Sequence, residues 1–483
     1  MRRSAPDRTA IRLGAVPSTA LPALNAPQRV PQLGRADRAE SPPWGPSVVM
    51  GMIVVLVARL HEIVPGLALL RPGLILTTVG FGSLWARSSL RRRSTALRDP
   101  TVRAVILLLL WSSCTIPFAL WPGLAVESWQ AVLLGSVLVT AMLLLPPTQK
   151  SVSRIVAALV TATGFYSVAL LVWGKERVAE RKELGAMLDP NDIATLLAMT
   201  FPFAIGFALR ASGRIRTVAV LAAGLLVVGV TATGSRGGTI AIVVGSLVYG
   251  LSLPGSRKFL VILALIAGGA FAWRFAPPTY RARMEAVFRG EQDYNYTEYG
   301  GRKQIWARAV LYFAEHPFLG VGVGNFPTAE GEHLKALGIR GKWSAPHNAY
   351  VQAFVELGAP GGLIFLWLIF LTVRRAARYW SPSTAAAAGR PHRPELLASA
   401  CAFAMGAVFL SLAYSYTLFA LLGIVALSDP PAAGGRARVQ GAAGFRGSPS
   451  RRSPVAGRGR MSSPPGPGTP SHGSPDSPPR VAG

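Results

Sequence analysis

Apolar stretches of about twenty residues, the length of a helix that crosses a bilayer, recur along the chain between positions 47 and 428. Short polar links separate them, so the pattern predicts a membrane protein built of helices. The predicted spans lie at 47–60, 71–87, 103–121, 125–145, 154–173, 191–209, 216–233, 238–253, 258–275, 349–373, 396–411 and 413–428. The first and the last pair are short, and one of these pairs is also compatible with a re-entrant hairpin. The predicted fold class is an all-α integral membrane protein with about 12 transmembrane helices.

A long polar segment, residues 277–347, interrupts this pattern before the tenth span. It gathers Arg, Lys, Tyr, Asn, Glu and His at high density, whereas the apolar stretches contain almost nothing reactive. Within it, residues Arg302 to Glu315 have the pattern of an amphipathic helix. We therefore predict a large, partly helical loop, and we expect the chemistry of the protein to lie there.

Composition agrees with a membrane protein and excludes two other classes. The chain is 51% hydrophobic and only 15% charged, whereas soluble proteins carry about 25% charged residues. Its net charge of +28 comes from arginines in the links and tails, and not from a basic face of the kind that binds nucleic acid. Cys114 and Cys401 lie inside apolar stretches, which indicates neither a disulfide framework nor a metal site. We expect no cofactor and no nucleic-acid partner.

Basic residues also predict how the chain is oriented, because cytoplasmic links are enriched in Lys and Arg. With a cytoplasmic N-terminus, every even-numbered link is cytoplasmic. These links carry the basic clusters Arg91–Arg93 with Arg98, Lys150 with Arg154, Arg210 with Arg214 and Arg216, Arg257 with Lys258, and Arg374 with Arg375. Segment 277–347 then faces outward, to the periplasm or cell exterior. The link from Lys175 to Lys182 is basic although it falls on the outer side, and we have no explanation for it.

The two ends of the chain differ in composition from the region between them. Residues 1–46 are rich in Arg, Pro and Ala, and residues 429–483 are dense in Pro, Gly, Ser and Arg. Such segments cannot bury enough apolar surface to fold. We therefore expect a membrane domain at 47–428 between two disordered, basic, cytoplasmic tails that are dispensable for chemistry.

One candidate site is the link Gly234-Ser235-Arg236-Gly237-Gly238, which joins the seventh and eighth spans on the outer side. A guanidinium binds phosphate oxygens in a bidentate fork, and flanking glycines let a large group approach the backbone. Arg236 is therefore a candidate for binding a phosphate or diphosphate, with its neighbours in support. The alternative is an arginine that only snorkels to the membrane interface.

Two further candidates lie in the outer segment. Arg302 follows two glycines at the start of the predicted amphipathic helix. His347 directly precedes the tenth span, which places it at the membrane surface level with Arg236. Histidine titrates near neutral pH and can accept a proton from an attacking hydroxyl. The alternative for His347 is a structural role in capping the span together with Asn348.

Two shorter motifs have a local structural interpretation. Asp189-Pro190-Asn191-Asp192 opens the sixth span as an N-cap, and Asn191 and Asp192 are supporting candidates for the outer site. The run from Gly320 to Asn325 resembles part of a dinucleotide fingerprint, but no strand precedes it and no βαβ unit surrounds it. We expect this run to form a tight turn that returns the outer segment to the membrane.

In their order and spacing, these motifs resemble the O-antigen ligase family, which also contains O-antigen polymerase-like proteins and protein O-glycosylation ligases. The resemblance covers residues 47–428. The motifs that carry it are Asp189–Ala194, Thr233–Gly238, Gly301-Arg302-x-x-x-Trp306, Glu315–Phe326, and Pro346–Tyr350 followed by Glu356–Gly358.

The resemblance implies a GT-C-like, metal-independent glycosyltransferase of the bacterial inner membrane. Its donor would be a glycan on undecaprenyl diphosphate, and its acceptor the lipid A core, another glycan or a protein. Arg236 and Arg302 would bind the donor diphosphate, and His347 would act on the acceptor hydroxyl. Membrane lipids would surround the helices and the polyprenyl tail.

Two alternatives to a ligase stay open. A polymerase of the same family would use another lipid-linked repeat unit as acceptor, and no motif separates the two activities. A transporter or flippase belongs to another class and predicts inverted repeats and ionisable residues at mid-membrane. The chain has no evident internal repeat, and its polar residues are concentrated on one side. Both observations favour chemistry at the interface.

Overall fold

A computed structural model of the chain describes residues 41–59, 61, 66–177, 181–183, 189–275, 278–286, 300–339, 343–387 and 389–429. The two predicted tails therefore lie almost entirely outside the described residues. Part of the predicted outer loop, at 277, 287–299 and 340–342, also lies outside them.

The described residues are mostly helical. The helices before the outer segment are α1 (Gly45–Met52), α2 (Pro72–Ile75), α3 (Phe81–Arg87), α4 (Leu90–Arg98), α5 (Pro100–Thr115), α6 (Pro122–Leu144), α7 (Gln149–Trp173), α8 (Pro190–Arg210), α9 (Gly213–Ala232), α10 (Arg236–Leu251) and α11 (Arg257–Phe275). The helices that follow are α12 (Pro278–Ala286), α13 (Arg302–Glu315), α14 (Phe326–Ala336), α15 (Ala349–Ala377), α16 (Pro382–Ala387), α17 (Glu395–Val408) and α18 (Tyr416–Ser428). A π-helical turn, Ile53–Val57, extends α1, and another, Leu76–Gly80, joins α2 to α3.

One element departs from the all-α expectation. Strands β1 (Lys175–Arg177) and β2 (Arg181–Glu183) pair antiparallel, with Lys175 opposite Glu183 and Glu176 opposite Lys182. The link that begins at Lys175 thus contains two short paired strands.

Each predicted apolar span overlaps a helical segment. Within the described part of the chain, six segments are long and apolar enough to cross a membrane: Pro100–Phe118, Pro122–Leu144, Gln149–Trp173, Pro190–Arg210, Gly213–Ala232 and Ala349–Ala377. Shorter apolar segments are Gly45–Val57, α10, α17 and α18. The helical character of the membrane domain is as predicted, and the count of twelve crossings stays a prediction.

Helices α8, α10 and α17 pack closely against one another because small residues lie between them. A Cβ at Gly245 of α10 would come within 2.9 Å of Ala402 in α17. A Cβ at Gly406 of α17 would come within 2.8 Å of the Thr195 hydroxyl in α8. Helices in a membrane associate through close packing, because lipid is as apolar as their side chains and gives no hydrophobic driving force. Small residues let their backbones approach closely enough for such packing. The three helices therefore form a tight unit.

Helix α15 is interrupted at Gly358, whose φ of 66° lies in the left-handed region. The break leaves backbone carbonyls without helical partners, and the outer segment supplies two of the donors. Val321 N donates to Val355 O at 2.9 Å, and Gly322 N donates to Glu356 O at 3.0 Å. The run 320–325 is thus a tight turn that packs against the membrane domain, as the sequence predicted.

Buried ion pairs join the start of α5 to the ends of α15 and α18. Arg375 at the end of α15 donates to both carboxylate oxygens of Asp99, at 2.9 and 2.7 Å, where Asp99 caps α5. Asp429, directly after α18, accepts from Arg378 at 2.8 Å. Because these carboxylates are buried, their pairing fixes how α5, α15 and α18 meet.

Candidate functional site

The link that carries Arg236 is a compact turn whose hydrogen bonds hold the start of α10. Gly234 has a φ of 62°, which a residue with a side chain adopts only at a cost. The Ser235 hydroxyl caps α10 by accepting from Gly238 N at 3.1 Å, while Thr233 Oγ1 accepts from Ser235 N at 3.3 Å. Arg236 is the first residue of α10, so its backbone lies at a helix N-terminus, where amides without helical partners can bind anions.

The glycines beside Arg236 have a different role from the one the sequence suggested. A Cβ at Gly237 would come within 2.9 Å of the Phe409 side chain, and a Cβ at Gly238 would overlap Ala194. Because Gly237 and Gly238 have no side chain, α8 and the segment after α17 can pack directly against them. The space beside these glycines is therefore filled by protein and is not open to a ligand. The expectation that they let a large group approach the backbone was wrong for this reason.

The motif at the start of α8 lies beside this turn, because Ala194 contacts Gly238. Asp189 caps the helix and accepts from Asn191 N at 2.8 Å, as predicted. The Asn191 side-chain amide donates to the same carboxylate at 2.6 Å, so Asn191 supports the cap. Asp192, one residue further, lines a cavity described below.

His347 and Asn348 have separate roles at the start of α15. Asn348 caps the helix, accepting from Tyr350 N at 2.9 Å and Val351 N at 3.1 Å. His347 has a φ of 48°, in the left-handed region, and its backbone N–H donates to Ser411 Oγ at 3.0 Å. Such a conformation costs on the order of 1–3 kcal/mol and persists where the surroundings enforce it, often at functional sites.

The helix that begins at Arg302 contacts the residue that precedes His347. It is the first residue of α13, after the N-cap Gly301, as the sequence predicted. Trp306 lies one helical turn further on the same face, and its indole N–H donates to the carbonyl of Pro346 at 2.8 Å. The face of α13 that carries Arg302 therefore lies against the residue that precedes His347.

A buried polar cluster holds α13 in place. Arg308 donates from Nε to both oxygens of Glu330 in α14, at 3.1 and 3.0 Å, and Tyr312 donates to Glu330 at 2.9 Å. All three side chains are at least 94% buried. Burial, together with the Glu330 carboxylate, raises the pKa of Tyr312 above its ordinary value. The phenol therefore stays neutral and keeps its hydrogen bond to Glu330. The cluster thus holds α13, which begins at Arg302, in a fixed position.

A cavity of about 260 Å³ joins several of these elements. Its polar lining residues are Arg59, Ser128, Asp192, Ser411, Tyr414, Ser415, Tyr416 and Thr417. Ser411 also accepts the backbone bond from His347, and Phe409, two residues earlier, contacts Gly237. The segment between α17 and α18 therefore connects the cavity to both the Arg236 turn and the His347 backbone.

Sequence reasoning missed Arg59 and Ser411. Arg59 follows the first apolar segment and interacts electrostatically with Asp192 and Tyr416. In the sequence, nothing distinguishes Arg59 from the other arginines at the ends of apolar spans. Ser411 lies between two short apolar helices. A polar residue at such a position was the one sequence feature that could have pointed to it.

This arrangement suits an anionic ligand that also carries hydroxyl groups. Arg59 lines the cavity, and Arg236 and Arg302, which do not line it, lie in segments linked to it by contacts. Guanidinium groups bind phosphate oxygens. Serine and tyrosine hydroxyls with the Asp192 carboxylate can bind sugar hydroxyls, because they offer both donors and acceptors. Among the described residues, no group of three His, Cys, Asp or Glu side chains could hold a metal ion.

Comparison with known proteins agrees with the motif-based resemblance. Residues 220–366 match the family model described as O-antigen ligase. This range contains Arg236, Arg302 and His347, whereas Arg59, Asp192 and Ser411 lie outside it. No match was found among curated proteins.

Proposed function

Because residues 220–366 place this chain in the O-antigen ligase family, we propose that it is a membrane glycosyltransferase of cell-surface polysaccharide biosynthesis. It transfers a glycan from undecaprenyl diphosphate to an acceptor hydroxyl on the periplasmic side of the bacterial inner membrane. The observation that carries the proposal is that the Arg236 turn and the His347 backbone both contact the segment between α17 and α18, while α13 contacts Pro346 beside His347.

The two arginines act on the donor. Arg236 and Arg302 bind the diphosphate, and their charge stabilises the negative charge that develops on it as the glycosidic bond breaks. The capped turn holds the backbone of Arg236, and the buried cluster around Glu330 holds α13, which begins at Arg302. The backbone positions of both arginines are therefore fixed before the substrate binds, which favours such stabilisation.

His347 acts on the acceptor. The acceptor oxygen attacks the anomeric carbon, the bond from that carbon to the diphosphate oxygen breaks, and its electron pair leaves with the diphosphate. The hydroxyl proton passes to His347 as general base. A single direct displacement of this kind inverts the anomeric centre. Ser411 positions His347 through its backbone.

The apolar helices bind the polyprenyl part of the donor. Interactions with this remote tail supply affinity that holds the diphosphate at the reacting end. The preferred acceptor is a sugar of the lipid A core or a similar glycan. A lipid-linked repeat unit, which would make the enzyme a polymerase, is the second candidate within the same family.

Arginine variants test the donor site. We expect Arg236→Ala and Arg302→Ala each to lower transfer by at least about 100-fold, because each removes charge from the leaving group. The measurement is glycan transfer from undecaprenyl diphosphate by purified protein in proteoliposomes. Arg214→Ala is the matched control, since Arg214 is exposed at the start of α9 and far from the turn. Transfer near the wild-type rate in either site variant would contradict the role of that arginine.

The same assay, run with the wild-type protein and three acceptors, identifies the reaction. Lipid A core, a second lipid-linked repeat unit and a glycosylatable protein are supplied separately. Product on the lipid A core alone supports the ligase, and product on the repeat unit alone supports the polymerase.

A further inference from the structure

Two cavities adjoin between α7 and α9, at a distance from the proposed catalytic region. The first is an apolar groove of about 370 Å³ between these helices. Its lining includes Val160, Gly164, Phe165, Val218, Leu221 and Ala222. Several of these side chains, Phe165, Val218 and Leu221 among them, are also exposed on the protein surface. The groove is therefore open to the surrounding bilayer along its length.

The second cavity is a polar pocket of about 320 Å³ at one end of the groove. Its polar lining residues are Gln149, Ser153, Arg210, Arg393 and Glu395. Phe207 and Ile215 line both cavities, so the apolar groove leads directly into the polar pocket. An apolar groove that ends in a polar pocket matches a lipid, whose acyl chain is apolar and whose headgroup is polar.

The pocket lies at the far end of α8 from the proposed catalytic region. Asp192, at the start of this helix, lines the cavity that Ser411 also lines, and Arg210 lines the pocket at the helix end. Eighteen residues of α-helix separate the two, which corresponds to about 27 Å. A lipid-linked donor bound in the pocket would keep its diphosphate far from His347, so the pocket is not a donor site.

Charge at the pocket favours an anionic ligand. Arg210 donates to both oxygens of Glu395, at 3.0 and 2.7 Å, and Arg393 donates to the same carboxylate at 3.1 Å. Two guanidinium groups thus share one carboxylate, which leaves one positive charge in excess. The Arg210 side chain is 43% exposed, so part of its guanidinium faces the pocket opening or solvent. Exposed Arg154 and Arg214 add positive charge at the same helix ends.

We propose that this groove and pocket bind an anionic phospholipid of the leaflet opposite the catalytic region. An acyl chain lies in the groove between α7 and α9, and the phosphate of the headgroup lies at Arg210. Basic pockets between membrane helices on the cytoplasmic side recognise anionic headgroups in this way. Because α7 contacts α8 and α9, the lipid fills a gap in the bundle that also supports the catalytic end.

The groove is tested by filling it. A Cβ at Gly164 would have Ala222 as its nearest neighbour, at 3.8 Å, so Gly164→Leu places its side chain in the groove without a clash at its base. Gly224→Leu is the matched control, because Gly224 of α9 is exposed with nothing within 4 Å and does not line the groove. Native mass spectrometry of the purified protein with phosphatidylglycerol is expected to show bound lipid for wild type and Gly224→Leu, and its loss for Gly164→Leu. Equal lipid retention by both variants would overturn the proposal.

The headgroup pocket is tested by removing one cation. Arg210→Gln leaves Glu395 paired with Arg393, so the buried carboxylate keeps a partner. We expect the preference for phosphatidylglycerol over phosphatidylethanolamine to fall roughly fivefold, the effect of one arginine at a lipid surface. Arg214→Gln, at an exposed arginine on the same side, is expected to keep the preference. An unchanged preference in Arg210→Gln, or displacement of phosphatidylglycerol from the wild type by undecaprenyl phosphate, would overturn the proposal.

Discussion

His347 has a backbone conformation that few residues other than glycine adopt, and its N–H is bonded to Ser411. Arg236, Arg302 and His347 could be proposed from sequence because reactive side chains are rare outside the polar links. Arg59 and Ser411 could not, because their importance depends on which distant segments meet at the cavity. Arg59 follows α1, whereas Ser411 precedes α18.

Arg59 gives a prediction at this scale. We expect Arg59→Ala to lower glycan transfer about tenfold to 100-fold, because a charged hydrogen-bond donor to the substrate is lost. Arg71→Ala is a close control. Arg71 shares the left-handed conformation, with a φ of 46° against 51° for Arg59, but it is exposed and does not line the cavity. Equal transfer rates in the two variants would exclude a role for Arg59 in substrate binding.

The helices themselves could be predicted from the apolar pattern, because a membrane-spanning helix needs about twenty apolar residues. Their interruptions could not. The break at Gly358 is stabilised by donors from Val321 and Gly322, and Trp111 Nε1 donates to Leu357 O at 2.8 Å. Such partners are distant in sequence, so no local pattern reveals them. The packing role of Gly237 and Gly238 was missed for the same reason.

Gly238 gives a prediction for the packing of helices. A Cβ at this position overlaps Ala194, so Gly238→Ala forces α8 and α10 apart. We expect the free energy of unfolding to fall by about 1–3 kcal/mol, the usual cost of overpacking, and transfer to fall with it. Gly224→Ala, at an exposed glycine with open space around it, is expected to be neutral or to stabilise the helix by up to about 1 kcal/mol. Thermal unfolding in detergent measures both, and the same midpoint for both would contradict the packing argument.

For the whole molecule, the basic links predict that His347 and Arg210 lie on opposite sides of the membrane. Ser411, which contacts His347, lines the same cavity as Asp192 at the start of α8, whereas Arg210 lies at the end of that helix. The orientation of the bundle is predicted from the placement of basic residues in its links. Oligomeric state and the identity of the glycan depend on partners and are not encoded in a motif.

Labelling of single cysteines tests the orientation. In a background with Cys114 and Cys401 replaced by Ser, we expect Glu332→Cys to react with a membrane-impermeant maleimide on intact spheroplasts. Arg214→Cys is expected to react only after the membrane is permeabilised. Both positions are exposed, so accessibility to the reagent depends on the side of the membrane. The reverse pattern would invert the predicted topology.

The most direct measurement of the central claim compares glycan transfer and release of undecaprenyl diphosphate in proteoliposomes that contain the chelator EDTA. We expect the wild type to form both products in equal amounts, because each displacement frees one diphosphate and needs no metal. We expect His347→Ala to lose both by about 100-fold or more, while His316→Ala, at an exposed histidine of the same outer segment, stays near wild type. Transfer by His347→Ala at the wild-type rate, or no transfer to any acceptor by the wild type, would contradict the account.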